Sequence, residues 1–293
     1  MNDRFIVLGS KGQLGTALCE LFKKEGFSYL GLDLPEFDIT KPVTYKKKIK
    51  EYSPDVIINC SAYTDVYKAE KEHYNALNIN ALSLKSLIDL CNKYNILFCH
   101  ISTDYVFSGE KQSPYIETDT PNPINYYGLS KYMGEKLIQF YSDNYVIIRT
   151  SALYGKSINK SQNIVDKLIE ITRNNKLVKL VKDEYISPTY TKDLAKQIIL
   201  IIENNINGVV HATSEGYCNW VEMGKYLYDI LGIKVKIEEV KSSFFNKTLA
   251  KPKFSVLENK VLKEKNINVM PDWEAVLRKY LENNKFNHKT IEY

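Results

Sequence analysis

The feature that most constrains the fold is a glycine-spaced turn that lies between a short apolar run and an amphipathic segment near the N-terminus. The apolar residues 5–8 are followed at once by Gly9-Ser10-Lys11-Gly12-Gln13-Leu14-Gly15, and residues 14–24 have helical spacing. Glycines at these spacings permit a tight turn, a close approach of backbone to a diphosphate, and close packing of helix on strand. The N-terminus of the helix adds free N–H groups and a partial positive charge. This GxxGxxG turn predicts dinucleotide binding, with an ordinary strand-to-helix turn as the alternative. The cofactor-binding residues that it predicts are Gly9, Lys11, Gly12, Gln13, Leu14 and Gly15.

Short apolar runs alternate with longer amphipathic segments through the first half of the chain. Continuous apolar runs are typical of parallel strands covered on both faces, and they occur at 5–8, 29–32, 56–58, 96–99 and 146–148. Helical spacing occurs at 14–24, 42–52, 78–94 and 127–141, then at 163–173, 193–204 and 220–231, with short strands at 178–181 and 208–211. We expect Thr40 to cap the second helix, with Pro42 in its first turn. The alternation predicts an α/β fold with a doubly wound parallel sheet of the Rossmann type and a smaller mixed C-terminal substrate lobe.

The regular alternation weakens after about Gly155, and 293 residues are near the upper limit for one hydrophobic core. We therefore predict a dinucleotide-binding domain at 1–155 and a mainly substrate-binding lobe at 156–293, with some of its segments returning to pack on the first domain. The sequence leaves open whether the chain works as a homodimer.

Composition narrows the class of partner. The net charge is only +5, and the one dense basic cluster (Lys46, Lys47, Lys48 and Lys50) fits a solvated helix face, so no nucleic-acid partner is expected. Five scattered cysteines without a CxxC pair indicate a reducing compartment, and four histidines without metal-ligand spacing predict no metal site. No apolar stretch is long enough to cross a bilayer. These features predict a soluble, cytoplasmic protein with no membrane partner.

Two further segments are candidates for the adenosine end of the cofactor. Asp33 ends the second predicted strand, where its carboxylate could accept hydrogen bonds from ribose hydroxyls. A carboxylate there favours NAD over NADP because it would repel a 2′-phosphate, although a simple strand-end turn is the alternative. Asp38 and Ile39 form the second candidate.

The candidate catalytic residues are a tyrosine and a lysine four positions apart, together with a hydroxyl at the end of a strand. Tyr127 and Lys131 fall on one face of the predicted helix. A free phenol has a pKa of about 10, and a nearby cation would lower it into a range useful for proton transfer. Such a pair also arises by chance in a chain with 22 tyrosines. Thr103 follows the apolar run at 96–99, where its hydroxyl could polarise a substrate carbonyl or simply cap the strand.

These residues together resemble the dTDP-4-dehydrorhamnose reductases, which are extended short-chain dehydrogenases. The stretch YGLSKYMGE at 127–135 is the most specific part of the resemblance. The other matching segments run in order along nearly the whole chain, at 9–15, 54–59, 62–64, 102–107, 117–119, 123–128, 149–151, 154–155, 188–189, 251–252 and 271–273.

The resemblance implies reduction, by NADH or NADPH, of the C4 keto group of a nucleotide-linked 4-keto-6-deoxysugar on the way to dTDP-L-rhamnose or a related sugar of cell-surface polysaccharide. Tyr127 would donate the proton, Thr103 would orient the oxygen and Lys131 would tune Tyr127. The resemblance also implies roles for residues around this triad: Asp104 and Tyr105 beside the sugar, Ala62, Tyr63 and Thr64 beside the cofactor, Lys251 at the nucleotide end, and Asn80 as the active-site asparagine.

The departures from the family pattern all fall on the substrate side. Ala152 stands where an aromatic residue is usual after Arg-Thr-Ser, Ile186-Ser187 displaces the usual glycine, and Lys251 replaces an arginine, which loses the bidentate fork that grips a diphosphate. Two alternatives remain. A nucleotide-sugar epimerase or 4,6-dehydratase could have this fold, although dehydratases place a glutamate where this chain has Tyr105. A non-catalytic NAD(P)-binding regulatory subunit could also retain it.

Overall fold

The centre of the protein is a parallel β-sheet, as seen in a computed structural model that describes residues 3–173, 175–245 and 249–284. Its six strands are β1 (Arg4–Leu8), β2 (Ser28–Leu32), β3 (Val56–Asn59), β4 (Leu97–Thr103), β5 (Tyr145–Thr150) and β10 (Gly208–His211), numbered in chain order. They lie in the order β10-β5-β4-β3-β1-β2, and every neighbouring pair is parallel. The strand order reverses beside β1, which opens a crevice at the carboxyl edge where such sheets bind ligands. The predicted fold class is confirmed.

Apolar residues cover both faces of this sheet. In β1, Phe5 and Val7 face one layer while Ile6 and Leu8 face the other, as the two-residue period of a strand requires. The first layer is formed by α1 (Gln13–Glu25) and α8 (Thr191–Glu203), and the second by α2 (Lys46–Tyr52), α5 (Leu84–Tyr94) and α6 (Tyr126–Tyr141). Helices on both faces explain why the strands are continuously apolar rather than alternating.

The second half of the chain forms a smaller lobe with its own apolar cluster. Its helices and strands are β6 (Leu153–Tyr154), α7 (Ile164–Arg173), β7 (Leu177–Val181), β8 (Tyr185–Ile186), β9 (Thr189–Tyr190), β11 (Cys218–Asn219), α9 (Trp220–Leu231), β12 (Lys236–Val240) and α11 (Trp273–Asn283). The strand pairs are parallel except for β8 with β11, so the lobe is mixed, as predicted. Leu168, Val178, Leu227 and Leu277 belong to its core. Strand β10, helix α8 and the short helix α10 (Lys260–Glu264) lie instead in the central layers, where Leu262 of α10 joins the first core layer.

The predicted start of the second helix is wrong. Residues Pro42–Thr44 form a 3₁₀ turn and α2 begins only at Lys46. Thr40 caps neither, because its hydroxyl donates to Asp38 Oδ1 at 2.7 Å. Between the two pieces Tyr45 has non-helical angles, and its fully buried ring packs 5.4 Å from Phe37, so tertiary packing breaks the predicted helix.

The predicted helix at 78–94 is also built differently. It starts earlier, after α3 (Val66–Ala69), with α4 (His73–Leu77), passes through a π-helical turn at Asn78–Leu82 and continues as α5. Single π turns inside helices are frequent at functional sites. Here the turn brings the buried side chain of Asn80 toward α6. In the described part of the chain, no helix has the length and apolar character needed to cross a membrane.

Candidate active site

The glycine turn after β1 leaves no room for larger residues. Gly9 has a φ of +74°, and a Cβ there would lie 2.9 Å from the backbone N of Ser61. A Cβ on Gly15 would lie 2.1 Å from the carbonyl oxygen of Gly9. These clashes explain why the two positions must be glycine. Because the glycines lack a Cβ, the start of α1 can pack directly against the end of β1.

The start of α1 has the features of an anion site. Its N-cap is Gly12, which supplies no side-chain cap for the first N–H groups, and no acidic residue lies in the first turn. A helix of 13 residues adds its dipole to these donors. The turn therefore fits the diphosphate of a dinucleotide.

The two carboxylates predicted at the adenosine end are already hydrogen-bonded. Asp33 accepts from the backbone N of Lys11 at 2.7 Å and of Leu34 at 2.8 Å, which ties the glycine turn to the end of β2. Asp38 accepts from the backbone N and the hydroxyl of Thr40, and these bonds hold the pKa of Asp38 below its usual value although burial opposes them. Ile39 is buried in the core. Their contacts with the cofactor stay predictions.

The predicted cofactor segment 62–64 is held in place by Asn80. The side chain of Asn80 accepts from the backbone N of Tyr63 at 2.8 Å and donates to its carbonyl at 3.0 Å. It also donates to the hydroxyl of Ser130, one residue before Lys131, at 2.9 Å. Gly134 allows this approach, because a Cβ there would lie 2.2 Å from the carbonyl of Asn80. Ala62 and Tyr63 are half-buried, while Thr64 is exposed.

Thr103 and Tyr127 lie together at the carboxyl end of β4. Asn125 caps α6 by accepting from the backbone N of Gly128 at 2.8 Å. Gly128 packs so closely on the turn after β4 that a Cβ would lie 2.1 Å from the carbonyl of Tyr105. The ring of Tyr127 therefore meets that of Tyr105 edge to face at 5.8 Å. Burial raises the pKa of Tyr127 to about 12, against a smaller lowering from its hydrogen bond with the Thr103 hydroxyl.

The expectation that Lys131 lowers the pKa of Tyr127 is not met in this structure. The Lys131 amine donates to the carbonyl of Ile101 at 2.6 Å and lies 3.2 Å from Nε2 of His100. Burial lowers the pKa of Lys131 itself to about 8, despite the opposing charge of Glu135. The side chain thus points behind the site, toward β4.

A buried ion pair behind these residues was missed by the sequence analysis. Glu135 binds the Arg149 guanidinium through two contacts of 3.0 and 2.7 Å, and both side chains are almost fully buried. Ser102 also donates to Glu135, at 2.5 Å. These bonds fix α6 to β4 and β5. Glu135 ends the most specific sequence segment, one helical turn after Lys131, and that position was the available signal.

Asp104 is held by three hydroxyls from distant parts of the chain. Ser151 donates at 2.9 Å, Ser255 at 2.5 Å and Thr103 at 3.0 Å. Burial nevertheless raises the pKa of Asp104 above its usual value. Because Ser255 belongs to the C-terminal half, Asp104 joins the smaller lobe to the end of β4. Its predicted contact with the sugar stays a prediction.

Lys251 lies close to the same end of the sheet. Its amine is 3.9 Å from the carboxylate of Glu184 and 5.1 Å from the centre of the Tyr67 ring. Trp220 also donates to Glu184, at 3.2 Å. Burial raises the pKa of Tyr105 well above its usual value, and the charges of Asp104 and Glu184 raise it further, so Tyr105 lies near the Glu184 carboxylate that Lys251 approaches. Glu184 and Trp220 were missed by the sequence analysis, since neither lies in a recognisable motif.

No three His, Cys, Asp or Glu side chains within residues 3–173, 175–245 and 249–284 cluster closely enough to hold a metal ion.

The fold and the site together define a dinucleotide-binding α/β protein of the extended short-chain dehydrogenase class, with a Thr-Tyr-Lys set at the carboxyl edge of the sheet.

Comparison with known proteins identifies the family within that class. The profile of the RmlD substrate binding domain family matches residues 3–286. The chain is 32% identical over 279 residues to the spore coat polysaccharide biosynthesis protein SpsK of Bacillus subtilis, with 95% of this chain and 97% of that protein covered. It is 35% identical over 233 residues to a dTDP-4-dehydrorhamnose reductase of Aggregatibacter actinomycetemcomitans, covering 77% and 78%.

A solved structure of the same family has a closely similar fold. The crystal structure of dTDP-4-dehydrorhamnose reductase from Bacillus anthracis in complex with NADP superposes with a TM-score of 0.91 at 34% identity, covering 97% of this chain and all of that one (100%). The chain belongs to the dTDP-4-dehydrorhamnose reductase family, and the resemblance stated from its motifs is confirmed.

Proposed function

We propose that this chain is an NADH- or NADPH-dependent reductase that acts on the C4 keto group of a nucleotide-linked 4-keto-6-deoxysugar, with dTDP-4-dehydrorhamnose as the leading substrate. The observation that carries the proposal is the position of two features on one edge of one sheet. The glycine turn follows β1, and Thr103 with Tyr127 lies at the end of β4. Family membership supports the same activity.

In this proposal Tyr127 gives its phenolic proton to the C4 oxygen of the substrate. A raised pKa keeps that proton on the phenol near neutral pH, as a proton donor requires. Thr103 orients the oxygen through its hydroxyl, which already hydrogen-bonds with Tyr127. Once the proton has left, the phenolate needs stabilisation, and the ammonium form of Lys131 is the cation one helical turn away. A bound NADH or NADPH supplies the hydride.

The residues that we assign to the cofactor are the glycine turn with Lys11, Gln13 and Leu14, the strand-end residues Asp33, Asp38 and Ile39, and the segment Ala62, Tyr63 and Thr64, with Tyr127 and Lys131 at the reacting end. The uncapped N-terminus of α1 supports the first group. Asp33 favours NADH, whereas the Bacillus anthracis relative was crystallised with NADP. Kinetics with both cofactors would decide the preference.

We assign the sugar to Asp104 and Tyr105 with Thr103, and the nucleotide end to Lys251. The shared neighbourhood of Tyr105, Glu184 and Lys251 supports this assignment. Lys251 belongs to residues 156–293, which we propose to bind mainly the substrate, whereas the residues assigned to the sugar lie in residues 1–155 beside the proposed cofactor site.

The test is turnover by a Tyr127→Phe variant. We expect kcat to fall by about 10²- to 10⁴-fold, because the proton donor is lost while the ring and its packing remain. Binding of NADPH, followed by its fluorescence, should change little. Tyr132→Phe removes a phenol from the same helix outside the proposed site and should retain turnover. Near-normal turnover by Tyr127→Phe would refute the mechanism.

Substrate panels separate the alternative activities. Oxidation of NADPH or NADH with a dTDP-4-keto-6-deoxysugar, and identification of the product, would support the reductase. A protein that is purified with tightly bound NAD and converts dTDP-glucose would instead be an epimerase or dehydratase. Cofactor binding without turnover on any 4-keto sugar would favour a regulatory subunit.

We also propose a homodimer and a cytoplasmic location. Leu82, Met133, Phe140 and Tyr141 form an exposed apolar patch on α6 and the π-helical turn, with 80% of Phe140 exposed. A patch of this kind supports contact between copies, and light scattering of wild type and Phe140→Asp would test it. Five free cysteines suit a reducing compartment.

A further inference from the structure

Three polar side chains form a buried row behind Tyr127. Asn59 ends β3 and His100 lies directly beside it in β4, where the parallel register pairs the two residues. Lys131 of α6 covers them from above, and its amine lies 3.2 Å from Nε2 of His100. All three are at most 2% exposed, so no bulk water can satisfy their polar atoms. Their hydrogen bonds must therefore be accounted for within the row.

The first bond of the row fixes which atom of Asn59 faces the histidine. Its amide oxygen accepts from both the backbone N (3.1 Å) and the hydroxyl (2.6 Å) of Ser61. A backbone N–H can only donate, so the oxygen must face Ser61 and the NH₂ group must face His100. That NH₂ group lies 3.1 Å from Nδ1 of His100 and donates to it.

This bond in turn fixes the histidine. If Nδ1 accepts a hydrogen bond, a neutral imidazole carries its proton on Nε2. The Nε2–H group then points at the nitrogen of Lys131. A neutral amine can accept this bond while it donates to the carbonyl of Ile101 at 2.6 Å. An ammonium has no lone pair and would face the N–H donor directly.

We propose that Asn59 and His100 are positioning residues that favour the neutral amine of Lys131 in the position beside His100, and that protonation of Lys131 releases its side chain from His100 toward Tyr127. The inference deepens the proposed reductase function and rests on it for the role of Tyr127. In this arrangement Lys131 carries its positive charge only in the position where it can stabilise the phenolate of Tyr127.

The charges around Lys131 are consistent with this arrangement. Glu135 on the same helix favours the ammonium, but its carboxylate is already bound to Arg149. Cys60, in the loop after β3, stays a neutral thiol because burial raises its pKa. Tyr127 stays a neutral phenol for the same reason. Burial lowers the pKa of His100 well below its usual value, and a positive charge on Lys131 would lower it further, so the imidazole is also neutral.

The first test needs no variant. The ¹⁵N chemical shifts of histidine side chains distinguish the two neutral tautomers, and the chain has only four histidines to assign. His100→Phe identifies the His100 signals by their loss. We expect the Nε2–H tautomer at neutral pH in the protein without cofactor. A proton on Nδ1, or a cationic ring, overturns the proposal.

The second test reverses the tautomer with an isosteric change. In Asn59→Asp a carboxylate faces Nδ1 and accepts a hydrogen bond from Nδ1–H, so Nε2 becomes an acceptor for the ammonium of Lys131. We expect the titration of Lys131, followed by ¹³Cε and ¹⁵Nζ shifts and assigned with Lys131→Met, to move up by about one pH unit, as one hydrogen bond to the charged form would give. The alkaline limb of kcat/KM should move in the same direction.

A double-mutant cycle separates the tautomer from the added charge. In the His100→Phe background the Asn59→Asp substitution still adds a carboxylate, but there is no imidazole to reverse, so the shift that it causes should fall by half or more. An equal shift in both backgrounds would mean that charge alone acts and would overturn the proposal. These measurements use the free protein, so they stand apart from the turnover test of the reductase function.

Discussion

The buried ion pair between Glu135 and Arg149 makes a quantitative prediction about stability. Glu135→Gln keeps the size of the side chain but removes the charge that balances a guanidinium only 3% exposed. His211, at 3.4 Å from the guanidinium, cannot replace that charge, because an imidazole carries no negative charge in either of its forms; burial and Arg149 lower its pKa to about 3, so it is neutral. Leaving one buried charge without its partner costs about 3–5 kcal/mol.

That cost converts into a melting temperature. An unfolding entropy of about 2.1 cal/mol/K per residue gives about 0.6 kcal/mol/K for this chain, so we expect Tm to fall by about 5–8 °C. Differential scanning calorimetry at neutral pH is the assay, provided that unfolding is reversible. A fall in Tm of less than about 2 °C would refute the claim that the charge of Glu135 stabilises the fold by balancing Arg149.

Two controls make the interpretation specific. Glu170→Gln breaks the exposed pair with Arg173, at 3.1 Å, and should cost about 0.5 kcal/mol or less. The double variant Glu135→Leu with Arg149→Met removes both charges and should recover at least half of the lost stability, since a buried pair is often no better than apolar packing. If the double variant were as unstable as the single one, packing rather than charge would be the cause.

Three further predictions concern cofactor, pH and substrate. Gly15→Ala puts a Cβ 2.1 Å from the carbonyl of Gly9 and should weaken NADPH binding roughly tenfold or more in a fluorescence titration, whereas Gly26→Ala, in open space past α1, should not. Burial lowers the pKa of His211 in the folded protein to about 3, so below about pH 6.5 this histidine takes up a proton only in the unfolded chain. We therefore expect roughly 2 kcal/mol of the free energy of unfolding to be lost between about pH 6.5 and 5. Urea unfolding at both pH values should show a smaller loss in His211→Asn, and an equal loss would contradict this. Lys251→Ala should raise KM for the nucleotide sugar about tenfold with little change in kcat. The control Lys253→Ala, at an exposed lysine nearby, should leave KM unchanged. A fall in kcat with unchanged KM would mean that Lys251 acts in the reaction step rather than in substrate binding.

The sequence predicts the parts of this structure that are set by local chemistry. Glycine is required at positions 9 and 15 because a Cβ there would clash with nearby backbone, and the apolar runs are strands that helices cover on both faces. Both are properties of a few neighbouring residues, so no knowledge of the tertiary structure is needed.

The features that the sequence does not predict depend on distant partners. The helix containing Tyr45 breaks because its ring is drawn into a core formed elsewhere in the chain. The π turn that carries Asn80 fits against Gly134, which lies 54 positions later. The direction of Lys131 depends on His100, and the sequence pattern gave only its spacing from Tyr127.

The sheet register explains how these distant partners meet. Asn59 pairs with His100 across β3 and β4, Ser102 with Arg149 across β4 and β5, and Arg149 with His211 across β5 and β10. Strand partners in register project to the same face, so polar residues at the ends of four strands form continuous buried rows. Helix α6 covers these rows and contributes Lys131 and Glu135, one turn apart. The polar ends of the strands, which interrupt their apolar runs in the sequence, therefore both anchor the catalytic helix and set the charge of the lysine that it carries.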